Sequence, residues 1–166
     1  ALKNAKKIIK ETKCDAVKLE GGKKIINQVK FLMKNKIPVM GHLGLLPQST
    51  KGKFKSKGKS SREIKQLISD ALSLQREGVF AIVLECVKSS VAKQITQSLN
   101  IPTIGIGSSV FCDGQVLVTD DLLGLNQTKI KFVKRFLNLK KHINIGLRKF
   151  SSEVKSKKYP SKKHSY

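Results

Sequence analysis

Short apolar runs alternate with longer amphipathic stretches along most of this chain. Five runs read as strands: 15–20 (DAVKLE), 37–43 (IPVMGHL), 79–85 (VFAIVLE), 101–107 (IPTIGIG) and 115–120 (QVLVTD). Near-continuous Val, Ile and Leu in short runs is the pattern of strands buried on both faces. Between them the spacing predicts helices near 22–35, 61–77 and 89–99, and an opening helix with Leu2, Ala5, Ile8 and Ile9 on one side. Strand–helix alternation marks parallel βαβ units, so the expected class is α/β. The link SSVFCDG, between the fourth and fifth runs, is too short for a crossover helix. Beyond Gly124 the pattern turns helical again, over 129–139 and 143–156, and the chain closes on a basic tail, 159–166. A Gly/Lys/Ser-rich loop, 51–61, follows the second strand, and no internal repeat is visible.

The first run carries two charges where a buried strand has no obvious use for them. Side chains alternate along a strand, so Ala16, Lys18 and Glu20 share one face and Val17 and Leu19 the other. Burying an ammonium and a carboxylate is costly unless they are paired or employed. An internal ion pair near a strand end and a functional site explain this stretch equally well by itself. The wider pattern favours a site: Glu20 closes the first run, His42 nearly closes the second, and Glu85 closes the third. Gly105 and Gly107 end the fourth, and Asp120 and Asp121 the fifth. In β/α barrels and open parallel sheets alike, the carboxyl ends of the strands build the active site.

Composition alters this picture less than its size suggests. The formal net charge is +23, from 34 Lys plus Arg against 11 Asp plus Glu. Such an excess points to nucleic acid or an anionic surface. Only Arg62, Arg76, Arg135 and Arg148 are arginines, however, and the aromatic residues are not interleaved with basic clusters. Base readout and phosphate grip favour arginine, and single-strand binding favours aromatic platforms. The lysines read as solvated surface, and nucleic acid is not an expected partner. Cys14, Cys86 and Cys112 are far apart without CxxC spacing, which suggests free thiols in a reducing compartment. No stretch approaches the length of a membrane span. The chain opens without Met directly in a helical pattern, as though cut from something longer.

Together, DAVKLEGG, IPVMGHLGLLPQS, FAIVLECV, IPTIGIGS and CDGQVLVTDDLLGL closely resemble the ketopantoate hydroxymethyltransferase family, in order and in spacing, over essentially the whole chain. The resemblance implies a (β/α)8 barrel, of which this chain holds about the last five strands and the C-terminal helices as a single domain, 1–166. It implies transfer of a hydroxymethyl unit from 5,10-methylenetetrahydrofolate to 3-methyl-2-oxobutanoate, giving 2-dehydropantoate in pantothenate biosynthesis, with Mg2+ as cofactor. It further implies a cytoplasmic homo-oligomer, a decamer.

By the same resemblance, Glu20 is the metal ligand, Lys18 contacts the keto acid and Glu85 is the proton acceptor. His42 is open between holding substrate, ordering a metal-bound water and filling a structural place. These residue types suit the chemistry. Mg2+ takes oxygen ligands and leaves room for substrate oxygens. A partly buried carboxylate is a competent base toward a proton next to a carbonyl, and a fixed ammonium suits an anionic substrate. GIGSS lacks the GxGxxG spacing, so Gly105 and Gly107 are expected to serve close packing. Cys86 and Cys112 are expected as buried small residues, not nucleophiles.

The chain departs from the family's pattern in places. Ser108 and Ser109 replace the usual Ala-Gly of GIGAG, which predicts loss of a close backbone approach; Asp120–Asp121 stand where His-Asp is usual. The loop 51–61 is more lysine-rich than its family counterpart and is expected over the site. The family's N-terminal third, with the first barrel strands and two aspartates of the metal site, is not in these residues. The chain is therefore expected to be a piece of a complete enzyme, not the product of a split or decaying gene, and to be inactive alone. The competing reading is a non-catalytic, lysine-rich binding module for RNA or an anionic surface.

Overall fold

A computed structural model describes residues 1–49, 55–126 and 129–166, in two compact units, Ala1–Val116 and Leu117–Tyr166. The first unit runs α1 (Leu2–Thr12), β1 (Val17–Glu20), a 3-10 turn (Lys23–Ile25), α2 (Ile26–Lys34), β2 (Val39–Gly44), α3 (Ser61–Arg76), β3 (Ala81–Glu85), α4 (Ser89–Ser98), β4 (Thr103–Ile106) and β5 (Gly114–Gln115). The strands form a parallel sheet in the order β1-β2-β3-β4-β5. Sequential order has a consequence. Parallel crossovers are almost always right-handed, so helices stay on one face unless the strand order reverses. It does not reverse here.

The two faces of the sheet are accordingly unlike. Val39, Leu43, Ile82 and Leu84 point to the helix side and pack in one core with Val29, Leu32, Ala71, Leu74, Ala92 and Ile95. The register Lys18↔Met40, Glu20↔His42, His42↔Val83 and Gly44↔Glu85 puts Lys18, Glu20, Met40, His42, Val83 and Glu85 together on the opposite face. A sheet wound with helices on one side only, and chemistry-bearing groups on the other, is an arc of a β/α barrel. The expected α/β class and partial barrel are observed.

Four of the predicted strands lie where the apolar runs placed them. The fifth does not. Pairing covers only Gly114–Gln115, extended by the Val116 N–H to the Gly105 carbonyl, and not 115–120. Val116 and Val118 are half exposed, so no second layer rewards continuing the strand.

The second unit holds α5 (Thr119–Leu122), α6 (Leu139–Lys155) and a 3-10 turn (Lys162–His164). Asp120 and Asp121 therefore do not end a strand. They sit in the first turn of α5, where the free N–H groups favour carboxylates. The helix predicted over 129–139 is absent as well. That segment is tied back instead by the N–H groups of Phe136 and Leu139, which donate to the carbonyls of Leu122 and Leu123.

Candidate active site

Glu20, His42 and Glu85 form a row across the carboxyl ends of three adjacent strands. His42 is at the centre and only 1% exposed. Its Nε2 is 3.2 Å from Glu85 Oε2, and its Nδ1 is 3.9 Å from Glu20 Oε1. Burial, and then the Lys18 charge, lowers the imidazole's pKa to about 4. The ring is thus neutral at physiological pH, and these two approaches are not ion pairs. Neither ring nitrogen has a well-aligned hydrogen-bond partner among the described residues, although the Leu45 backbone carbonyl lies near enough to the ring to favour its protonated form and so oppose the lowering.

Glu85 has the opposite bias. Burial raises its carboxyl pKa above the ordinary glutamate value of 4.5; Lys18 opposes the shift and Glu20 adds to it. Lys18 itself is exposed on the same face. Its placement two residues before Glu20 follows from strand alternation, as the sequence implies. Glu20 is mostly buried, and its Oε2 accepts the backbone N–H of Gln48 at 3.2 Å. All four residues singled out from sequence are brought together on one face. Asp120 and Asp121 belong to the second unit, where they are helical, and Asp121 Oδ1 accepts from the Asn126 side chain.

Several supports of the row were not legible as functional. Gln48 is one, since its role is carried by a backbone N–H. Gly44 is another. It pairs with Glu85 at φ +97, and a Cβ there would collide with the Glu85 carbonyl oxygen. The third is Ser108: its hydroxyl accepts the Val87 N–H at 3.0 Å and donates to the Leu84 carbonyl at 2.8 Å, clamping both sides of Glu85. Ser109 joins β4's exit to α4 through the Ser89 hydroxyl.

Gly105 does serve close packing: a Cβ would press on the Gln115 amide, which donates to the Ser109 carbonyl. Cys86, directly after the base candidate, is buried at φ +52, a conformation that non-glycine residues hold only where surroundings enforce it. Burial and the Glu85 charge push its thiol pKa up, which makes it a poor nucleophile. Residues 51–54 of the lysine-rich loop lie outside the described residues. Beyond them, Lys57 pairs with Val87, its N–H donating to the Cys86 carbonyl, and Glu63 accepts from the N–H groups of Gly58 and Lys59. The returning chain is thereby fastened beside Glu85.

Among the described residues no three His, Cys, Asp or Glu side chains gather as a metal cluster. Within the row, Glu20 offers a hard oxygen donor with one oxygen pinned by the Gln48 N–H. That suits a cation that takes few protein oxygens and fills its shell with water and substrate. No helix among the described residues is long and apolar enough to cross a membrane.

A singly wound β/α arc with a carboxylate–imidazole–carboxylate row at its carboxyl edge defines a β/α-barrel protein whose chemistry sits at the strand ends. The family is specific: the profile described as ketopantoate hydroxymethyltransferase matches residues 1–162, and the chain belongs to that family. Among similar proteins is the 3-methyl-2-oxobutanoate hydroxymethyltransferase of Pelagibacter ubique, 62% identical over all of this chain and 64% of the relative. Those of Rhizobium etli and of Clostridium botulinum (Alaska E43) are 45% and 49% identical, again over the whole chain and 62% of each relative. The chain thus spans somewhat less than two thirds of the length of these curated relatives.

Proposed function

We propose that the complete protein transfers a hydroxymethyl unit from 5,10-methylenetetrahydrofolate to 3-methyl-2-oxobutanoate, giving 2-dehydropantoate. The observation that carries this reading is Glu85: a carboxylate biased toward holding a proton, at a strand end, facing Lys18, Glu20 and His42. The likeness to proteins named for this activity supports it.

In this reading Lys18 binds the keto acid's carboxylate, and its fixed charge favours anion development nearby. Glu85 takes the C3 proton onto a carboxylate oxygen, leaving an enolate whose C3 attacks the folate's methylene carbon. Of the two carbon–nitrogen bonds to the carrier, one breaks as C3 bonds to that carbon and the other gives way to a bond with water's oxygen, while the two carrier nitrogens take up the proton held by Glu85 and one from water. Glu20 would hold Mg2+. When bound, that ion would supply Lewis acidity toward the keto acid's oxygens. We also read the protein as a cytoplasmic homo-oligomer, a decamer by family resemblance; three free cysteines agree with a reducing compartment.

The test is the Glu85→Gln variant of the complete protein. Turnover falls roughly 10²–10⁴-fold, the usual worth of a positioned base, while keto acid binding is largely kept. If that variant exchanges the substrate's C3 proton with solvent at the parent rate, Glu85 is not the base.

A further inference from the structure

We propose that His42 is a positioning residue for Glu85, its ring donating Nε2–H to Glu85 Oε2 and so aiming the other carboxylate oxygen at the substrate. The inference rests on the hydroxymethyltransferase reading for its catalytic consequence, and on geometry for the contact itself.

A side chain 1% exposed whose ring nitrogens meet no well-aligned partner, only the nearby Leu45 carbonyl and two carboxylates, calls for an explanation, because buried polar atoms are nearly always hydrogen-bonded. An apolar side chain in that position would avoid the desolvation cost altogether. The two carboxylates are not equivalent. Glu85 Oε2, at 3.2 Å, is at the edge of hydrogen-bond range and needs only better alignment, whereas Glu20 Oε1, at 3.9 Å, is beyond it. Catalytic hydrogen bonds commonly tighten when substrate binds.

A neutral imidazole carries its proton on one nitrogen only. Placing it on Nε2 serves the reachable carboxylate and leaves the Nδ1 lone pair facing the Glu20 side, open to an O–H donor. Both ends of the contact stand on paired strands, since His42 is in register with Glu20 and Val83, and Glu85 with Gly44. Strand-borne groups hold such distances better than loops do. A carboxylate fixed on one oxygen presents the other in a single direction, which is what abstraction from a defined C3–H bond requires.

The experiment compares His42→Leu, His42→Asn and His42→Gln in the complete protein. It reads C3 proton exchange of 3-methyl-2-oxobutanoate, kcat and KM, together with 15N spectra of the histidine rings. His42→Leu lowers exchange and kcat ~10–100-fold, the usual effect of removing an orienting hydrogen bond, with KM little changed. The Gln amide nitrogen reaches the place of Nε2 and restores most of that loss; the Asn amide reaches only the place of Nδ1 and does not. In the parent the ring is neutral with the proton on Nε2, and its Nε2 signal moves in Glu85→Ala. Rescue by Asn and not Gln, equal losses in all three variants, or full activity in His42→Leu each overturns the proposal. A proton found on Nδ1 overturns it whether or not the protein is active. A parent that exchanges no C3 proton would defeat the functional reading, while the 15N spectra still decide the contact.

Discussion

Replacing Ser108 by Ala should weaken the fold at the point where the base candidate is held. The Ser108 hydroxyl makes two hydrogen bonds, accepting from the Val87 N–H at 3.0 Å and donating to the Leu84 carbonyl at 2.8 Å. Both backbone groups belong to residues nearly closed to water, Leu84 at 0% and Val87 at 2% exposure. Water cannot readily take over from the lost hydroxyl. A buried group left unpaired costs about 1–3 kcal/mol, against about 0.5–1.5 for a hydrogen bond whose partners regain water. The Leu84 carbonyl keeps its ladder pairing with β4, so the Val87 N–H is the group left unpaired, and the loss is roughly 1–3 kcal/mol.

The assay is urea unfolding of the complete protein, parent and Ser108→Ala side by side. The midpoint falls while the slope stays the same, because the surface exposed on unfolding does not change. In a chain of this size each kcal/mol is worth about 2–4 °C, so Tm should drop by several degrees or more. Loosening Leu84 and Val87 also loosens Glu85 between them, so kcat should fall while keto acid binding persists. A Ser108→Ala protein with parent stability within about 0.5 kcal/mol, the range of inert surface changes, would refute the clamp. Ser108 would then be a tolerated replacement with no structural task.

Other expectations follow from the same site. In the complete protein Glu20→Ala should raise the Mg2+ needed for half-maximal turnover, whereas Lys18→Ala should mainly raise the keto acid requirement; an unchanged Mg2+ titration in Glu20→Ala removes it as ligand. The acid limb of kcat/KM should lie above the ordinary glutamate value of 4.5, because burial makes Glu85 hold its proton more firmly. The matching stability term is fully present below 4.5 and is lost as pH rises through the raised value, so Glu85→Gln should gain stability relative to the parent between acid and neutral pH; a pH-independent difference in unfolding free energy would contradict that. Residues 1–166 expressed alone should show no transferase activity and no saturable Mg2+ binding at low millimolar concentration. Their sheet has open edges at β1 and β5 and a single candidate metal carboxylate. An active, cooperatively melting protein of these residues would refute this.

Local pattern was enough for β1 to β4 and α2 to α4, because each is a short apolar run or an amphipathic stretch whose period survives in the fold. It was also enough to put Lys18 and Glu20 on one face and to set Glu20, His42 and Glu85 at strand ends, since alternation and chain direction decide both. It failed at 115–120 and 129–139. There the outcome depended on whether a covering layer exists and on which carbonyls of α5 were free to accept, and neither is a property of the segment itself. It could not reveal the clamp at Ser108 for the same reason: a hydroxyl's role depends on which backbone groups the surrounding strands bring to it. The row at the site belongs to the tertiary structure alone. That His42 Nε2 meets Glu85 and not Glu20, and that burial drives the two toward opposite protonation behaviour, depends on strand register and on which side chains close over the sheet. Register is a relation between strands distant in sequence, and a slip of one residue would turn every one of these side chains to the other face.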